Sequence, residues 1–143
     1  MIRFTLKYNE LIERKISNDL LIIETQDIDI IQQCIDQFNS EVEWEHMFDL
    51  NRALERIKND NKMFVGYYKN ELFGYCWLEK ISLNTFSIYN VFSKKEPTIR
   101  NYGATDLLYF VIKNHTNNTI VATVDDWNTK SINMFNKLGF TSI

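Results

Sequence analysis

The chain is 143 residues long, 45% apolar and 14% aromatic, which is enough side-chain bulk for one core and predicts a single domain over residues 1–143. Its 16 basic and 19 acidic residues are scattered evenly for a net charge of -3, so no electrostatic footprint for nucleic acid or an anionic membrane exists and neither is expected as a partner. The opening MIRFTLKYNE has no apolar leader core, and no run approaches the roughly 18 apolar residues a spanning helix needs, so the expectation is a soluble cytoplasmic protein.

Residues 2 to 7 alternate like a short strand and are followed by a polar stretch containing LIERKI. Leu20 to Glu24 is β-rich and of the buried kind. Thr25 and Asp27 offer helix caps, and Ile28, Ile31, Ile35 and Phe38 recur at spacings of three and four, which predicts a one-sided helix. Leu50, Ala53, Leu54 and Ile57 predict a second helix near 49 to 59. The run MFVGYYKNELFGYCWLEK splits at Lys69-Asn70-Glu71 into a hairpin, and TFSIYNVFSK adds a third strand, giving an antiparallel meander. A helix over 101 to 113, a buried strand TIVATV at 119 to 124 and a last helix beginning at Asn128 complete an α/β arrangement of about four helices. Cys34 and Cys76 fall on a helix and a strand, with no CxxC and no histidine spacing for a metal; they read as buried free thiols.

Two stretches carry chemistry. In EPTIRNYGATDLLYF, residues 96 to 110, an arginine and a lone glycine precede a helix, which gathers unpaired N–H donors at a positive dipole end and suits a phosphate or diphosphate. The competing reading is an ordinary strand-to-helix turn in which Gly103 takes an unusual backbone conformation. In WNTKSINMFNKLGF, residues 127 to 140, Asn128 is a helix N-cap and Gly139 a helix stop, and each alone is an ordinary structural residue.

Taken in order, meander, Arg100-Asn101-Tyr102-Gly103-Ala104, strand, and Asn128-Thr129-Lys130-Ser131 through Lys137-Leu138-Gly139-Phe140 resemble the GNAT superfamily of N-acetyltransferases over roughly residues 20 to 143. The resemblance implies a mixed sheet in which the meander leads into a splayed parallel strand pair. It implies that Arg100 to Thr105 wrap the diphosphate of acetyl-coenzyme A with main-chain amides, Thr105 standing where a small residue is usual. A shifted register of that loop puts Asp106 where the helix needs an apolar side chain, so the first register is preferred. By the same resemblance Val91, Phe92 and Ser93 meet the pantetheine arm, and an N–H such as that of Val91 aimed at the thioester oxygen stabilises developing charge, worth roughly 3 to 4 kcal/mol per donor. Asn128 and Ser131 complete the cofactor contacts. The family's thiolate-protonating tyrosine corresponds to Phe135, which donates no proton.

An attacking amine must lose a proton; the candidate groups are Asp125 and Asp126, which follow the strand TIVATV close to the expected thioester and read equally as loop and capping residues, and Tyr89 on the preceding strand. Glu43, Trp44 and Glu45, in SEVEWEHMF, could form an acidic and aromatic acceptor pocket for a cationic amine, or simply a solvated interhelical loop. Loops at 8 to 19 and 39 to 48 are expected to shape the acceptor site. The family's C-terminal hairpin looks truncated after Gly139-Phe140, leaving a sheet edge for residues 2 to 7 or for a second copy in a homodimer. The implied activity is acetyl transfer to a primary amine of a small molecule or protein, the alternative being a non-catalytic coenzyme A-binding or regulatory module.

Overall fold

The computed structural model describes residues 1–94, 103–115 and 118–143. In chain order the elements are β1 (Ile2–Lys7), β2 (Leu20–Thr25), α1 (Ile28–Glu41), a 3₁₀ turn (Trp44–His46), α2 (Leu50–Ile57), β3 (Lys62–Tyr68), β4 (Glu71–Ser82), β5 (Thr85–Ser93), α3 (Gly103–His115), β6 (Thr119–Val124), α4 (Thr129–Leu138) and β7 (Thr141–Ser142). Among the described residues the strands form one sheet of order β2-β3-β4-β5-β6-β1-β7. All pairings are antiparallel except β5 with β6, so the mixed sheet with its meander agrees with the expected architecture.

Local chemistry accounts for the boundaries. The Asp27 carboxylate accepts from Asp29 N–H at 2.9 Å and Ile30 N–H at 3.4 Å, satisfying donors the first turn of α1 leaves open. Lys69 and Asn70 both have positive φ, the pair of left-handed residues that a two-residue hairpin needs to follow the strand twist between β3 and β4. Asn128 caps α4 through Oδ1, which accepts from Ser131 N–H at 3.2 Å, and Gly139 ends it at φ 101°.

Two cores lie on opposite faces of the sheet. On one, Ile31, Cys34 and Ile35 of α1 and Ala53 and Ile57 of α2 cover Met63, Val65, Tyr75, Trp77 and Phe92. On the other, α3 and α4 cover Phe4, Phe64, Phe73, Leu78, Ile120 and Ala122. The thiols of Cys34 and Cys76 are both buried, and burial raises both, Cys34 to about 12 and Cys76 further still. Neither is a thiolate at neutral pH, so native protein should resist iodoacetamide at pH 8 and take up two labels only after unfolding, as intact mass will read.

The edge expected to stand open beside β6 is filled from within the chain. β1 pairs with β6 along its whole length, from Ile2 opposite Val124 to Lys7 opposite Thr119, and with β7 on its other side. β1 thus lies between β6 and β7 in the sheet.

The segment after β1 crosses α3 and the end of α4, where Leu11 and Ile16 pack on the core beneath those helices. Ile12 N–H donates to Leu138 C=O at 3.0 Å; Glu13 accepts from Tyr109 OH at 3.0 Å and from Lys113 Nζ at 2.6 Å. Residues 11 to 16, part of the stretch 8 to 19 expected to shape the acceptor site, therefore lie on the side of α3 and α4. Arg14 Nε is ion-paired to the Asp106 carboxylate in the first turn of α3. Asp106 is 3% exposed, so this position is buried as anticipated yet holds a charge, because a guanidinium from a distant part of the chain neutralises it. The ground on which the shifted loop register was set aside does not hold.

Candidate cofactor gap

β5 and β6 run parallel and pair only at Thr85–Thr119, Phe86–Ile120 and Ser87–Val121. Beyond Ser87 and Val121 the two strands part, although β5 continues to Ser93 and β6 to Val124. The divergence begins at a β-bulge: Trp77 faces Asn90 and Leu78 faces Ile88, so Tyr89 is an extra residue on β5. An extra residue bends its strand and breaks the ladder, and here it turns the end of β5 away from β6.

The main chain of that end is oriented by its pairing with β4. Lys94 N–H donates to Phe73 C=O at 2.8 Å. Because hydrogen-bonding groups alternate sides along a regular strand, Phe92 also bonds toward β4, and the N–H groups of Val91 and Ser93 turn toward the gap.

The N-terminus of α3 comes down beside Ser93. Gly66, Gly74 and Ser93 lie in register across β3, β4 and β5, a row of small residues under the start of α3. A Cβ on Gly66 would sit 3.2 Å from Leu107 Cδ1 of that helix, and one on Gly103 would lie 3.5 Å from Ser93 Oγ. Gly103 has φ +25°, a conformation side chains other than glycine rarely take. The first N–H groups of a helix lack intrahelical acceptors, so Gly103, Ala104 and Thr105 offer main-chain donors at the mouth of the gap. Arg100, Asn101 and Tyr102 lie outside the described residues.

The other sequence-derived candidates are distributed as follows. Asn128 Oδ1 is committed to capping α4, and Ser131 supplies the capped N–H. Asp125 is exposed in the turn after β6, and its carbonyl accepts from Asn128 N–H at 2.9 Å. Tyr89 faces α2: its OH accepts from Arg56 Nη1 at 3.0 Å and the Arg56 guanidinium carbon is 4.0 Å from its ring centre. Arg56 is also held by both carboxylate oxygens of Glu79, at 2.5 and 2.9 Å. Glu43, Trp44 and Glu45 are exposed in the connection between α1 and α2, Trp44 to 77%. Phe135 is 3% exposed and packs in the core with Phe4 at 5.3 Å and Phe140 at 5.0 Å between ring centres.

Sequence reasoning missed several groups near the gap. Phe48 lies against Trp77 and Tyr89, at 5.7 and 5.8 Å between ring centres, and Asn39 clamps its backbone by donating to Phe48 C=O and accepting from Phe48 N–H. Tyr75, Trp77 and Asn90 are also there. The aromatic density of residues 75 to 92 was the available signal. A separate polar groove of about 850 Å³, lined in part by Glu24, Lys62, Lys80 and Lys113, lies at the other end of the sheet, away from the splayed strands.

A sheet opened between two parallel strands, with main-chain donors turned into the opening and a helix N-terminus at its mouth, has a shape and polarity that suit an extended, phosphate-bearing ligand. The sequence match is specific: residues 28–140 match the model of the Acetyltransferase (GNAT) family, and the chain belongs to that family. Among solved structures it is similar to a functionally unknown conserved protein from Staphylococcus epidermidis, with a TM-score of 0.76 and 14% identity, covering 99% of this chain and 57% of that one. It is also similar to a putative acetyltransferase from Salmonella typhimurium solved with its cofactor acetyl-CoA (TM-score 0.60, 18% identity, 87% and 80% covered). A third likeness is to an aminoglycoside acetyltransferase from an uncultured soil metagenomic sample (TM-score 0.60, 16% identity, 85% and 88% covered). The chain spans little more than half the length of the first of these. No curated protein sequence matches it. Among the described residues no helix is long and apolar enough to cross a membrane.

Proposed function

We propose that the chain transfers an acetyl group from acetyl-coenzyme A to a primary amine by direct attack on the thioester: the amine nitrogen bonds the acetyl carbon, the carbon–sulfur bond breaks, and coenzyme A leaves as a thiolate that takes its proton from solvent, since Phe135 has none to give. The observation that carries this reading is the gap between β5 and β6, closed over three residue pairs and open beyond them, with the N–H groups of Val91 and Ser93 turned into it. Bound there, acetyl-coenzyme A supplies the activated acyl group. Gly103, Ala104 and Thr105 would hold the diphosphate by main-chain donors, with the positive end of the α3 dipole favouring its charge. The Val91 N–H would stabilise the negative charge that develops on the thioester oxygen, and Asn128 and Ser131 border the arm from the start of α4. Asp125, exposed at the end of β6, is the candidate to take the amine's proton, directly or through solvent.

The test is at Gly103. Valine there should weaken acetyl-coenzyme A by roughly 100-fold, about 2.7 kcal/mol, in calorimetric titration. The positive φ should cost folding only about 1 to 2 kcal/mol. Unchanged affinity would remove the helix from the site.

A second reading, a coenzyme A-binding module without turnover, is favoured by one observation: the position matched to the family's acid tyrosine is Phe135, buried between Phe4 and Phe140. Release of free coenzyme A with any amine of a broad panel excludes it; binding without release on every amine supports it.

A further inference from the structure

Three side-chain polar atoms, Tyr75 OH, Trp77 Nε1 and Asn90 Oδ1, are buried without a hydrogen-bond partner in the described chain. Buried polar groups are nearly always paired, so three such orphans in one place need an explanation. The residues that carry them lie on one face of the sheet. Trp77 and Asn90 are directly opposed on β4 and β5, and side chains opposed in an antiparallel pair share a face. Tyr75 lies two residues before Trp77, hence on that same face, and is packed among the same aromatics. Both rings are fully buried. The patch borders the gap: Asn90 lies between the bulged Tyr89 and Val91, whose N–H faces the gap.

We propose that Tyr75, Trp77 and Asn90 form the polar floor of the acceptor pocket, and that they select a primary amine carrying a neutral hydroxyl or amide group. This rests on the transferase reading above. An indole N–H only donates, an amide oxygen only accepts, and a phenol does both; their complement is a group that accepts from one and donates to another. Charge points the same way. Arg56 and Glu79, on the adjoining part of this face, neutralise each other in a two-pronged pair, so neither is left to recruit a carboxylate or a second ammonium. Phe48, held down by Asn39, walls the pocket on the side of α1 and α2, and the acceptor's carbon skeleton would lie against it.

The rival explanation is that internal water satisfies these atoms permanently. Indole resonances separate the two. Trp44 and Trp127 are 77% and 76% exposed while Trp77 is fully buried, so W44F and W127F assign the Trp77 N–H signal. With coenzyme A saturating, the protein is titrated with glucosamine, ethanolamine and glycinamide, and with n-hexylamine as the apolar comparison. The Trp77 signal should shift saturably with at least one of the first three and not with n-hexylamine. Y75F should raise that amine's apparent Kd at least tenfold, keep the affinity for acetyl-coenzyme A within twofold, and leave the unfolding midpoint equal or higher. A Trp77 signal unmoved by all three polar amines overturns the assignment. So does a Y75F protein that is less stable yet binds the amine equally well, the result that structural water predicts. Failure of wild-type protein to bind acetyl-coenzyme A would instead sink the transferase reading itself.

Discussion

Replacing Gly74 by alanine should destabilise the protein by about 3 kcal/mol or more and weaken acetyl-coenzyme A along with it. A Cβ there would stand 2.2 Å from the carbonyl oxygen of Phe92 and 3.0 Å from Ser93 Cα. Both obstacles are backbone, so relief requires β4 and β5 to move apart. Gly66 is the informative contrast: its Cβ would meet the ring of Phe73 at 2.7 Å and Leu107 Cδ1 at 3.2 Å, side chains that can turn aside. Gly66→Ala should therefore cost roughly 1 to 2 kcal/mol. Guanidinium unfolding followed by the fluorescence of Trp77 ranks the two, and equal losses would mean that the β4–β5 spacing is not what Gly74 protects. Because Ser93 faces Gly74 and stands beside Gly103, the same displacement shifts the N–H of Ser93 and the start of α3.

The second large effect is expected at Arg14. Its side chain is 35% exposed whereas that of Asp106 is 5% exposed, so the two halves of the pair are not equivalent. Arg14→Met strands a carboxylate inside the core beneath α3, which should cost about 3 kcal/mol. Asp106→Leu alone should cost less, since the freed guanidinium can reach water, and the double variant R14M/D106L should regain most of the loss. Urea midpoints for the four proteins close the cycle. Additive losses would show that the two residues do not act as a pair. A positive result also places the N-terminal segment among the supports of α3, since Asp106 lies in its first turn.

These two sites show what the sequence does and does not reveal. Helices α1, α2 and α4 are written in three-and-four spacing, in Asp27 and Asn128 as caps, and in Gly139 as a stop, all short-range signals. Strands β3 to β5 follow from apolar and aromatic runs, the first two split by the polar Lys69-Asn70-Glu71. Gly103 stands out in the sequence as a lone glycine before a helix, but the alignment of Gly66 and Gly74 with Ser93 beneath that helix does not, because alignment depends on register. Asp106 looked unsuited to a buried position because its partner lies in an unrelated segment. The bulge at Tyr89 and the burial of Tyr75, Trp77 and Asn90 were likewise hidden: a bulge is a mismatch between two strands, and neither strand encodes it alone. Arg100 to Tyr102, prominent in the sequence, fall outside the described residues.

The placement of β1 between β6 and β7 has a kinetic consequence. Ile2 is synthesised more than a hundred residues before its neighbour Val124, so the sheet cannot be completed until that residue has emerged. Such distant pairing raises contact order, and the associated loop closure slows folding. Until then β1 is an unpaired segment ready to join another chain's vacant edge. Refolding should consequently be slower than for a variant in which residues 2 to 7 are moved behind β7 through a flexible linker, and its yield should fall more steeply as protein concentration rises.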